Sequence, residues 1–87
     1  MITLFTTSWT IKCPDEPNMI TVNNFFEDLS QEFYEMLFER HSGYEEHEHI
    51  YVFTLTYPAY QAKEYAKRIM EYCAKIQNEV LSQSRLN

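Results

Sequence analysis

Eighty-seven residues allow one domain with a modest core, and fourteen aromatics against one glycine and three prolines exclude a disordered acidic tail. The formal net charge of −6 argues against direct binding to nucleic acid or to an anionic membrane, since both need a Lys/Arg footprint. No run approaches the roughly 18 apolar residues of a membrane span, and residues 1–13 lack the basic and apolar regions of a signal peptide. A cytoplasmic chain is therefore expected, with Cys13 and Cys73 both reduced.

Residues 2–13 alternate as a strand rich in Thr, Ile and aromatics. Ile2 and Leu4 share one face, while Phe5, Trp9, Ile11 and Cys13 share the other, which calls for a bulge or a break near Thr6–Thr7. The two prolines of residues 14–20 mark a loop. A first helix is expected over 21–41, with Thr21 or Asn24 as N-cap. Val22, Phe26, Leu29, Phe33 and Leu37 form its apolar stripe, and Gly43 stands where a left-handed residue would end it. Residues 44–48 are a charged connection. Residues 49–57 are the clearest strand: Tyr51, Phe53, Leu55 and Tyr57 on one face, Ile50, Val52, Thr54 and Thr56 on the other, apolar enough on both sides for a central position. Pro58 opens a long helix to about residue 83, and residues 84–87 fray. The fold class is α+β: a small two-layer domain in β-α-β-α order, two to three strands backed by two helices. Because two strands alone make a poor sheet, a third strand within residues 2–20 or a strand from a second chain is required.

Charge is the feature that stands out. Ten of the thirteen acids lie between residues 15 and 48, with Arg40 as the one base among them. Asp28, Glu32, Glu35 and Glu39 are spaced 4, 3 and 4 and would line one side of the first helix, with Glu27 beside them. At about 1.5 Å of rise per residue the carboxylates would recur every 5–6 Å or so, close to the phosphate repeat along one nucleic-acid strand, and Glu45, Glu46 and Glu48 would extend the row. Most charge runs are only solvated faces, but a surface kept for solubility intersperses both signs, and this one does not. The eight acids are therefore the candidate partner-binding residues, and the partner is a basic surface on a larger protein.

The long helix carries a second candidate. Ala62, Ala66, Ile69, Cys73, Ile76 and Val80 recur at alternating spacings of 3 and 4, an a/d seam that would pair two chains as a homodimer. Glu64–Arg68 and Glu71–Lys75 stand at i,i+4 in the favourable order. The trio His41, His47 and His49 fits no familiar ligand spacing and reads as polar residues at a strand entrance, so no metal and no other cofactor is expected. Catalysis has little to stand on: Cys73 falls on the seam, Cys13 before Pro14 reads as an exposed thiol, and one glycine builds no phosphate loop. The seven tyrosines suit either core edges or an interface.

In size, acidity and helix-plus-strand layout the chain is similar to the small phage-encoded inhibitors of host defence, anti-CRISPR and anti-restriction proteins among them. The likeness is one of composition; no motif carries it and no residue role comes over with it. The expectation is a non-enzymatic acidic binding protein that blocks a basic, nucleic-acid-binding surface, with a homodimeric accessory protein as the alternative.

Overall fold

A computed structural model describes residues 2–45 and 49–87, with 42–45 in backbone only; Glu46, His47 and Glu48 lie outside the described residues. The elements are β1 (Leu4–Lys12), α1 (Glu16–Ser30), β2 (Leu37–Glu45), β3 (Ile50–Pro58), a 3-10 turn (Ala59–Gln61), α2 (Ala62–Lys75) and β4 (Glu79–Arg85). They form one antiparallel sheet of order β2-β3-β1-β4. Each helix joins two parallel strands with a third strand between them, so the chain makes the split β-α-β unit twice, the ferredoxin-like connectivity. Among the described residues the class is α+β with two helices, as expected, but the strands number four and the order is β-α-β-β-α-β.

The extra strands come out of both predicted helices. The first helix begins earlier, because the Asp15 carboxylate accepts the Asn18 N–H at 2.8 Å and Pro17 occupies the first turn, where its missing N–H is no loss. Thus most of the expected 14–20 loop is helix. Met19, Val22, Phe26 and Leu29 make its buried stripe. The helix ends at Ser30 rather than His41: its last turn holds Glu27 and Asp28 and no base, which opposes the helix dipole. A continuation would have stacked further like charges at i,i+4. Residues 37–45 instead form β2, with Phe38 and Arg40 opposite Leu55 and Phe53, and Leu37, Glu39 and His41 on the other side.

α2 stops at Lys75 in a Schellman cap. Asn78 N–H reaches Cys73 O at 2.8 Å and Gln77 N–H reaches Ala74 O at 3.1 Å, with Gln77 left-handed at φ 62°. The sequence lacks the glycine that would have announced this stop. Residues 79–85 then return as β4, so the tail does not fray. Leu86 N–H donates to Thr6 O at 2.7 Å, and the Asn87 side chain accepts the Thr6 N–H at the same distance. β1 is unbroken; the register shift lies in β4, opposite Thr10 and Ile11. β3 is central, as its two apolar faces predict, and Pro58 closes it instead of opening α2.

Both helices cover one face of the sheet. Trp9, Ile11 and Cys13 from β1 and its end meet Phe53, Leu55 and Tyr57 from β3 beneath Val22, Phe26 and Leu29 of α1 and Tyr65, Ile69 and Cys73 of α2. Phe26 stacks on Phe53 at 5.0 Å and on Phe38 at 5.6 Å, while Phe25 stacks on Tyr72 at 4.0 Å and ties the helices together.

Candidate functional surface

The acidic row of the sequence does not survive as a row. Glu27 and Asp28 are exposed on the last turn of α1, Glu35 is exposed in the turn that follows, and Glu39 is exposed on β2. Phe38 faces the helices, so Glu39 points to the opposite side of the sheet from Glu27 and Asp28. Glu45 ends β2, about 25 Å of strand from Leu37; Glu46 and Glu48 lie outside the described residues. Among the described residues Glu39 thus stands apart from Glu27 and Asp28, and the phosphate-like spacing, which needs a helix through Glu39, is absent.

Glu32 has a structural role. It accepts two hydrogen bonds from Arg68 of α2, at 2.8 and 2.5 Å, and one from the Tyr65 hydroxyl at 3.0 Å. Arg68, which the i,i+4 spacing assigns to Glu64, reaches across to this turn instead, and its guanidinium lies 5.4 Å from the centre of the Tyr65 ring. The hydrogen bond from Arg68 holds the Glu32 carboxyl below the usual carboxylate range. Burial, and then the bond to Glu32, push the Tyr65 hydroxyl up to about 12. The clamp fixes the 31–36 turn against α2. Because both partners are 37 % exposed, Glu32→Gln should cost only about 1 kcal/mol, or roughly 4–8 °C in Tm. With the folded pKa depressed, the contribution is present above the unfolded value near ~4.3 and is lost as pH falls through the folded value. Urea titrations from neutral to acid pH should show a shallower acid loss in Glu32→Gln; an unchanged slope would remove Glu32 from this role.

At the same end a pocket of about 130 Å³ opens among Leu4, Phe33 and Pro58, with Ile2, Tyr34, Glu35 and Tyr60 around it. Two bonds build it. Ala59 N–H donates to Thr3 O at 2.8 Å and draws residues 2–4 against the end of β3; Met36 N–H donates to Phe33 O at 3.1 Å and closes the turn that presents Tyr34 and Glu35. Tyr34 is 100 % exposed and Tyr60 72 % exposed, which is rare for side chains that bury so much area when covered. Leu37, at 64 % exposed, adds to the apolar surface nearby. Sequence reasoning counted these tyrosines but had no means to choose them from seven; their neighbours come together only through the β1–β3 pairing of Leu4 with Pro58.

The seam and the cysteines have definite places in the core. The seam residues face the core: Ile69 and Cys73 are buried in it, and Ala62, Ala66, Ile76 and Val80 pack against it, so no free stripe is left on α2. Cys13 is fully buried rather than exposed, and burial, with Cys73 nearby, pushes its thiol up to about 11; burial does the same for Cys73. Thiols this buried and this weakly acidic are poor nucleophiles. Among the described residues no group of three or more His, Cys, Asp or Glu could hold a metal ion, and no helix is long and apolar enough to cross a membrane. The uncovered face of the sheet presents Leu4, Thr6, Ser8, Thr10 and Lys12 from β1 and Ile50, Val52, Thr54 and Thr56 from β3. These strands offer no ring there on which a base could stack, unlike sheets that read single-stranded RNA. The chain matches no protein-family model, no curated protein and no solved structure.

Proposed function

We propose that this chain is a small non-enzymatic binding protein of the cytoplasm that docks on a basic surface of a larger protein and blocks it. The observation that carries this is the exposure, at one end of the fold, of Glu27, Asp28 and Glu35 together with Tyr34 and Tyr60. Tyrosine anchors inside a charged rim are the composition of a protein-docking surface, and carboxylates in the rim choose a basic partner. The buried, unpaired thiols agree with a reducing compartment. A nucleic-acid-binding surface is one such basic target, and obstruction of it is the inhibitory role the composition suggests. A second reading, a homodimeric accessory protein, now rests on the uncovered sheet face, whose centre on β1 and β3 is uncharged Ser, Thr and Val.

The test is salt-dependent binding with charge reversal. A partner held at about 0.05 M salt should be released near 0.5 M, where screening shortens to a few ångströms. The triple variant Glu27→Lys, Asp28→Lys, Glu35→Lys should lose roughly tenfold or more in affinity while keeping its circular dichroism, since exposed substitutions change stability little. A partner that binds the triple variant as tightly as the wild type at every salt concentration would sink the reading. A salt-independent dimer in light scattering would favour the second one.

A further inference from the structure

We propose that the pocket beside Tyr34 and Tyr60 receives the side chain of an arginine from the partner protein. The inference rests on the docking reading above and gives its anchor a chemical identity. A cavity of this size holds about one benzene ring, far below the roughly 300 Å³ or more of a cofactor or drug-sized site, so the occupant is a single side chain. The interior is apolar, from Leu4, Phe33 and Pro58, but Glu35 stands at the lining. An apolar occupant would strip water from that carboxylate and return nothing, and an anion would be repelled. A cation on an aliphatic stem satisfies both parts: the stem lies on the apolar interior and the head meets the carboxylate and the tyrosine rings.

Arginine is favoured over lysine by what the chain already does with its own arginines. Arg68 takes Glu32 with two nitrogens while lying over Tyr65, and Arg85 lies over Phe5 at 4.3 Å. The pocket lining holds the same residue types, Glu35 with Tyr34 and Tyr60, and no arginine. A guanidinium is planar, stacks on rings and bonds a carboxylate through two nitrogens, which an ammonium cannot do.

The experiment needs no partner. The full chain is titrated with a blocked Gly-Arg-Gly peptide, and with its citrulline and lysine counterparts, to about 10 mM, since an isolated contact is of millimolar strength, while amide and aromatic NMR signals are followed. Saturable shifts at Phe33, Tyr34, Glu35 and Tyr60 are expected with arginine. Binding of the neutral citrulline peptide, of Glu35→Gln and of Tyr60→Ala should each be weaker by roughly fivefold or more. These substitutions lie at the surface, and unchanged signals elsewhere confirm the fold. Equal shifts with citrulline, equal binding of lysine, shifts at other residues or none at all would each overturn the proposal. A partner lost by the triple lysine variant, with no response to the arginine peptide, would sink the pocket alone and leave the docking surface standing.

Discussion

Replacing Phe53 with Ala should strip the protein of a large part of its thermal stability. Phe53 is fully buried on the central strand, between Phe26 at 5.0 Å and Phe38 at 6.2 Å, so one ring joins α1, β2 and β3. Truncation of a buried phenylalanine costs about 3–5 kcal/mol. A domain of this length has only about 4–13 kcal/mol to lose, at 0.05–0.15 kcal/mol per residue. The expected fall in Tm is roughly 12–40 °C, against a shift of a few degrees at most for Tyr60→Ala, whose ring is in solvent. Thermal unfolding followed by circular dichroism reads both. A Phe53→Ala variant that melts within about 5 °C of the wild type would mean that this ring is not the junction of the core.

What the sequence made legible follows from which periodicities were unambiguous. The strand at 50–58 was readable because Phe53, Leu55 and Tyr57 alternate with residues that also tolerate burial, and it is central. Val22, Phe26 and Leu29 were readable as a helix stripe for the same reason. The two misplaced helix ends share one cause: apolar spacing of 3 and 4 continued past the true helix ends. Phe33 and Leu37 extend the stripe of α1 numerically, yet Phe33 sits in a turn and Leu37 is exposed on an edge strand. Ile76 and Val80 extend that of α2, yet a left-handed Gln77 lies between them. Local spacing has no term for the sheet's need of two more strands, and that need decided both cases. The acidic site inherited the first error. Its residues stand out by charge in the sequence, but their expected arrangement depended on a helix that stops at Ser30, and the pocket beside them depends on strand pairing no local pattern encodes.

Ile69→Glu separates the fate of the apolar seam from its appearance. If the seam joined two chains, the variant would be a folded monomer. In the structure Ile69 is 1 % exposed beneath α2, so the new carboxylate is driven into the hydrophobic core. An unpaired buried charge costs several kcal/mol or forces the group to take up a proton. The variant should therefore be unfolded at pH 7 at every protein concentration, while Ile69→Val loses only about 0.5–1.5 kcal/mol. Burial raises the pKa of the introduced acid, so its neutral form is tolerated below the unfolded value near ~4.3 and the deficit grows as pH rises above it. Relative to the wild type at each pH, the variant should thus recover stability on acidification, opposite in sign to the Glu32 clamp, which is lost there. Circular dichroism across pH together with light scattering decides the case. A well-folded Ile69→Glu at neutral pH, changed only in its state of association, would show that α2 turns this residue towards a partner rather than towards its own sheet.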